Sequence, residues 1–272
     1  MDGLFDLSER RIIVTGGGGV LCSTLASALA EAGAHIALLD LDPSAAQRVA
    51  HTITEKGGRA VAAACDVTDI DSLRSAGQQV LDELGPPDGL INGAGGNRPD
   101  ATASDRLSFF DLPADALRFV LELNVLGTLL PTQVFGRHMA ERKHGTILNI
   151  SSMNAFRPLT GIPAYSAAKA AVSNFTQWLA VHMCRNYSPR IRVNALAPGF
   201  FLTQQNRYLL TDEATGGLTP RGETILQHTP MGRFGEPGDL VGTVRWLLSD
   251  ASAFVTGVVV PVDGGFSAYS GV

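Results

Sequence analysis

Cysteine is scarce and scattered in this chain, with three residues in 272: Cys22, Cys65 and Cys184. They are odd in number, far apart and form no CxxC pair, which argues against a disulfide framework and a thiolate zinc site and fits a reducing, cytoplasmic setting. An excess of basic charge is lacking as well. With 21 Lys and Arg against 26 Asp and Glu, a formal net charge of −5 and a pI near 5.7, the chain has little with which to neutralise phosphates in bulk, so no nucleic-acid partner is expected. No apolar run approaches the roughly 18 residues that span a bilayer. The first residues carry Asp2, Asp6 and Glu9 in place of an apolar leader core, so no membrane partner and a soluble, unexported protein are expected. The six histidines, among them His138, His144 and His182, show no ligand spacing with acids or cysteines, and no metal is expected.

What the chain does have is a 45% hydrophobic content, enough for a substantial core, and a rhythm. Short apolar runs at 11–15, 36–40, 60–65, 89–92, 145–150, 190–195 and 258–262 alternate with helical stretches at 21–32, 45–56, 114–142 and 164–186. That alternation is the signature of βαβ units, and it predicts an α/β protein: one doubly wound Rossmann domain over residues 1–272, with a seven-stranded parallel sheet flanked by helices. The region richest in Pro, Gly and polar residues, 203–238, falls between the sixth and seventh runs and reads as a substrate lid over about 200–238. In such sheets ligands lie at the carboxyl ends of the strands, where the strand order reverses.

Directly after the first run stands Thr15, followed by Gly16, Gly17, Gly18 and Gly19 and then a helical stretch. In that context a glycine-rich turn brings backbone N–H groups against a pyrophosphate; elsewhere four glycines are only a flexible turn. The second run ends at Asp40, where a carboxylate accepts hydrogen bonds from the adenosine ribose and repels a 2′-phosphate, so NAD is expected in preference to NADP. Asp42 is an alternative acid, and either is also an ordinary turn residue. Asp66 closes the third run, placed to accept from an adenine amino group. Asn92, Gly93, Ala94, Gly95 and Gly96 close the fourth, where small residues let backbone pass close to a ligand.

The fifth run leads into Ser151 and Ser152. Further on stands Tyr165, followed at i+4 by Lys169 in an alanine-rich helical segment, which puts phenol and ammonium on one helix face. A cation beside a phenol stabilises phenolate, so a lowered Tyr165 pKa and an acid–base role are expected, with Ser152 hydrogen-bonding a substrate oxygen. Such a pair is common on helix surfaces. Its place after a strand-end serine, in a chain that carries a dinucleotide signal, favours a site over a surface contact.

With Thr15, Gly16 and Gly17, Asp40, Asp66 and Val67, the Asn92 to Gly95 stretch, Asn124 between Leu123 and Val125, Ser152, Tyr165, Lys169, Pro198, Gly199, Thr203, and Asp263, Gly264 and Gly265, the chain resembles the short-chain dehydrogenase/reductase family over essentially its whole length. The resemblance implies an NAD-dependent oxidoreductase acting on CH–OH groups, and a homotetramer paired through the helices at 117–140 and 164–184. It implies catalytic roles for Asn124, Ser152, Tyr165 and Lys169, with Asn124 holding a water in a proton relay and Lys169 also reaching the nicotinamide ribose. Cofactor contacts follow from it for Gly16, Gly18, Gly19, Val20, Leu21, Asp40, Leu41, Asp66, Val67, Asn92, Gly93, Ala94, Gly95, Tyr165 and Lys169, and for Pro198, Gly199, Phe201 and Thr203 at the carboxamide end. The family turn reads Thr-Gly-x-x-x-Gly-x-Gly, and here its last two glycines are Val20 and Cys22, while Gly93 replaces a more usual second Asn. A side chain at Val20 is expected to crowd a pyrophosphate, and Cys22 to loosen the close helix-to-sheet contact.

Three strand-end segments that fall beside the nicotinamide end are polar and basic: 95–99, 152–158 and 200–207. Asn97, Asn154 and Asn206 suit sugar hydroxyls, and an arginine suits a carboxylate, with Arg98 and Arg207 ahead of Arg157; each arginine is also an ordinary ion-pair candidate. With Ser152 these make the expected substrate set, and the small-molecule substrate expected is a keto sugar acid and its alcohol. A gluconate-type or other polyol dehydrogenase, and a non-catalytic NAD-binding protein on the same fold, are the alternatives.

Overall fold

The structure, a computed structural model, describes residues 3–203, 207–212 and 216–271. Its seven strands are β1 (Arg11–Thr15), β2 (His35–Asp40), β3 (Arg59–Ala64), β4 (Gly89–Asn92), β5 (Gly145–Ile150), β6 (Ile191–Pro198) and β7 (Val259–Val262). All neighbours pair in parallel, in the order β3-β2-β1-β4-β5-β6-β7, so the order reverses between β1 and β4.

Each strand is apolar on both faces because both faces are covered. Ile12, Val14, Ile36 and Leu38 turn to one side, against α1 (Val20–Glu31), α2 (Pro43–Glu55) and α9 (Val241–Leu248). Their neighbours Ile13, Ala37 and Leu39 turn to the other, against α3 (Ile70–Leu84), α5 (Gly127–Arg142) and α6 (Pro163–Asn186). Successive side chains on opposite faces thus sort one apolar run into two cores. The caps are local: Asp42, followed by Pro43, accepts from the Ser44 N–H to open α2, and Asp69 accepts from the Asp71 N–H to open α3. α3, α9 and two short helices between β6 and β7 add four elements to those read from the sequence.

The 114–142 stretch departs from the single helix expected. It is α4 (Ala114–Leu121), a π-helical turn at Glu122–Leu126, and α5. By length and composition Ala114–Arg142 is apolar enough to cross a bilayer, against the sequence expectation. In this fold it is a core element: α5 packs on α3, β4 and β5, and α4 on α6. Between β6 and β7 lie α7 (Arg207–Leu210) and α8 (Pro220–Gln227).

Candidate active site

A cleft of about 510 Å³ opens at the carboxyl ends of the strands, over the β1/β4 switch point. Gly16 takes a left-handed φ of 65°, and a Cβ there would lie 2.9 Å from the Ala94 backbone, so the turn after β1 and the loop after β4 meet only because position 16 has no side chain. The Thr15 hydroxyl accepts from the Gly93 and Ala94 N–H groups (3.1 and 3.3 Å), pinning that loop to β1. Gly19 precedes α1, whose first residues Val20 and Leu21 face the cleft with Gly16 and Gly19.

Asp40 ends β2 with its carboxylate oriented on both sides: Oδ2 accepts from the Gly18 N–H and Oδ1 from the Asp42 N–H, each at 2.9 Å. It lines the cleft beside Leu41, an apolar side chain 75% exposed, and beside Asp66 and Val67 at the end of β3. Asp66 is held by the Thr68 N–H and hydroxyl. Gly93, Ala94, Gly95, Pro198, Gly199, Phe201 and Thr203 complete the cofactor-side lining. Asn92 sits below it, fully buried, its amide donating to Asn149 and Thr132 and so locking β4 to β5 and α5.

At the other end of the cleft stand Ser152 and Tyr165. Both side chains line the cleft, and Ser152 Oγ accepts from the Asn154 N–H. Ser151, its neighbour, is turned to α6, bonded to the Ser173 hydroxyl and the Lys169 carbonyl. Lys169 is buried beneath Tyr165, its Nζ 5.5 Å from the phenol ring centre and donating to the Ile150 carbonyl at 2.9 Å. Burial pushes the Lys169 ammonium down to about 8. Burial also raises the Tyr165 phenol above its ordinary value, against the pull of Ser152, which corrects the lowered pKa expected from the sequence.

Asn124 sits in the π turn. Its amide donates to the Val120 and Gly96 carbonyls, and its Oδ1 accepts from the Gly96 N–H. The widened turn frees the Val120 carbonyl for this bond, and the side chain clasps the loop after β4. That loop crosses closely: a Cβ on Gly95 would lie 2.7 Å from Asn124 Oδ1 and 3.1 Å from Lys169 Nζ.

The substrate candidates disperse. Asn97 is exposed and bonded to the Thr102 hydroxyl. Arg98 pairs with Asp100 through Nε and Nη2 at 2.9 and 2.8 Å and lies over the Phe119 ring, so one edge of its guanidinium is engaged in an ion pair. Arg157 donates to the Ser267 carbonyl, and Arg207 begins α7 on the surface. Asn154 is 5% exposed, with a buried Oδ1 that has no hydrogen-bond partner. Asn206 lies outside the described residues.

Comparison with known proteins agrees with this geometry. The family model described as enoyl-(acyl carrier protein) reductase matches residues 21–267. A Haemophilus influenzae structure provisionally described as a D-mannonate oxidoreductase, with NAD bound, is 51% identical, covers 98% of each chain and superposes with a TM-score of 0.93. The 5-keto-D-gluconate 5-reductase of Escherichia coli is 34% identical over 97% of this chain and 98% of its own. A gluconate 5-dehydrogenase from Burkholderia cenocepacia, in complex with NADP and tartrate, is 33% identical over 98% of each chain, with a TM-score of 0.88. The chain belongs to the short-chain dehydrogenase/reductase family. As a short-chain dehydrogenase/reductase it is an oxidoreductase that acts on alcohol and keto groups and binds NAD(P).

Two of its departures from the family turn explain each other. A Cβ on Gly93 would collide with Cys22 Sγ and lie 2.8 Å from the Thr15 carbonyl. The thiol of α1 therefore fills the space that Gly93 leaves, and the helix keeps its close seat on the sheet, contrary to the loosening expected. Cys22 is 5% exposed, and burial pushes its pKa up to about 12, so it packs as a small apolar group. Leu123, Ile150 and Phe200 also line the cleft. The resemblance had singled out none of the three, since apolar residues at strand and helix ends carry no signal separating a lining role from a packing one.

Proposed function

We propose that this oxidoreductase interconverts a keto sugar acid and its alcohol, with D-fructuronate and D-mannonate as the pair and NAD as cofactor. The observation that carries the chemistry is Ser152 and Tyr165 lining one cleft with the glycine turn, with the buried Lys169 ammonium 5.5 Å from the Tyr165 ring centre. NAD is favoured by the lining: among the described residues the cleft presents the carboxylates of Asp40 and Asp66 and no Lys or Arg, so a 2′-phosphate has nothing to pair with. Gly16 and Gly19, lining the cleft just before the N-terminus of α1, suit a pyrophosphate drawn close to backbone N–H groups.

In the reductive direction the nicotinamide supplies the hydride. Ser152 holds the substrate oxygen, Tyr165 gives it a proton as the alkoxide develops, and Lys169 keeps a positive charge below the phenol while Asn124 holds the loop that bounds the cofactor. A sugar acid is supported by the unpartnered Asn154 oxygen, which a hydroxyl would satisfy, and by relatives named for mannonate and gluconate chemistry, one holding tartrate, itself a hydroxylated acid. The 200–238 stretch serves as the lid, and the exposed Trp178 and Val181 of α6 favour a homotetramer paired through α5 and α6.

Purified protein is expected to oxidise NADH with D-fructuronate, with a smaller rate on D-tagaturonate and 5-keto-D-gluconate, none on a hydrophobic ketone, and a large loss with NADPH. Preference for 5-keto-D-gluconate instead establishes the gluconate-type reading, which the E. coli relative favours; turnover only on the hydrophobic ketone overturns both. A pH profile gives a second test. Because the Lys169 ammonium is needed and its pKa is held near 8, kcat/KM for reduction falls as pH rises through about 8, and in Lys169→Arg that limb moves to higher pH. An unmoved limb assigns it to another group.

A further inference from the structure

An arginine that the sequence does not single out lines a cavity next to the cofactor cleft. This second cavity, of about 340 Å³, shares Phe200 with the cofactor cleft. Arg221 and Thr224 of α8 line it with His228, which caps that helix, and Thr160 from the loop before α6. A third cavity that shares Phe200 contains Arg233, but that guanidinium is forked onto Asp239 at 2.6 and 2.9 Å. Arg221 makes no ion pair or hydrogen bond with any described residue. His228 Nδ1 lies 2.8 Å from the Thr224 carbonyl, so this nitrogen carries the proton and Nε2 is left for a ligand. The walls are apolar: Phe200 meets Phe266 edge-on, ring centres 5.3 Å apart, and His228 leans on the same ring at 6.4 Å.

We propose that this cavity is the carboxylate subsite and that Arg221 is its specificity-determining residue, with His228 Nε2 and the Thr224 hydroxyl receiving the hydroxyl next to the acid. The inference rests on the sugar-acid reading of the main site. A linear keto acid lying past Phe200 has its carbonyl at Ser152 and Tyr165 and its carboxylate in the second cavity, so one molecule spans both. The guanidinium fork takes the two carboxylate oxygens in parallel, a geometry no neutral sugar reproduces.

The test compares two substrates that differ in the acid alone, D-fructuronate and D-fructose, in wild type, Arg221→Ala and Arg221→Lys, with NADH binding followed by fluorescence. Arg221→Ala is expected to raise KM for D-fructuronate at least about 30-fold, to leave kcat/KM for D-fructose and the NADH Kd within about twofold, and to be partly rescued by lysine. Inhibition by D-mannonate against D-mannitol repeats the comparison without turnover. Equal losses on acid and neutral ligands, or an unchanged KM for the acid, overturn the assignment of Arg221 and leave the sugar-acid reading standing. A wild type that reduces no sugar acid overturns that reading, and this inference with it.

Discussion

Tyr165→Phe is expected to bind NADH as the wild type does and to turn over at least about 10³-fold more slowly, because the change deletes the proton donor and nothing else. The ring keeps its place over Lys169, and Ser152 keeps its bond to the Asn154 N–H. Stopped-flow absorbance with NADH in excess separates binding from chemistry, and turnover within tenfold of wild type removes Tyr165 from the mechanism. The raised phenol pKa adds a direction. Near neutral pH Tyr165 is fully protonated and ready to act as an acid, so reduction runs without a pH penalty there, whereas oxidation needs phenolate and is expected to accelerate as pH rises.

Gly93→Asn, which restores the more usual family residue, is expected to damage this protein, and Cys22→Gly is expected to repair part of the damage. Alone, the asparagine drives a Cβ into Cys22 Sγ and the Thr15 carbonyl. Overpacking of this kind costs about 1–3 kcal/mol, and at roughly 2–4 °C per kcal/mol for a chain of this size the loss is readable as a lower Tm. NADH affinity is expected to fall about tenfold or more with it, since the same loop floors the cofactor cleft. Cys22→Gly alone removes the thiol and leaves a void beside Gly93. The double variant is expected to recover part of both readouts, since the Thr15 carbonyl still lies 2.8 Å from the new Cβ, with a coupling energy of about 1–3 kcal/mol across the cycle. Additive effects would show that the two departures are unrelated.

The strands, the doubly wound architecture and the glycine turn were legible because their signals are local: an apolar run, a glycine cluster, an acid at a strand end. The βαβ rhythm also placed Asp40, Asp66, Ser152, Tyr165 and Lys169 at one end of the sheet before any coordinates. Other features were hidden because they depend on what lies across space. The direction of the Tyr165 shift is set by the burial of the phenol, which comes from packing between distant stretches of chain. Arg98 looked free for a ligand, yet Asp100 two residues away holds it. The π turn at Glu122–Leu126 has no periodic signature, since the apolar pattern runs through it unbroken. Arg221 lies in a segment without strand-like or helical periodicity of any length, and only its cavity distinguishes it from other surface arginines.

Proton transfer and the proposed acid subsite rest on separate stretches of chain. β1 to β4 hold the dinucleotide side, β5 and α6 carry Ser152, Tyr165 and Lys169, and the stretch between β6 and β7 carries Arg221 and His228. For descent this separation means that a lineage can exchange its nutrient by rewriting about thirty residues of one surface segment, while the costly reaction chemistry is inherited untouched. Duplicated copies of such a gene diverge in diet before they diverge in mechanism.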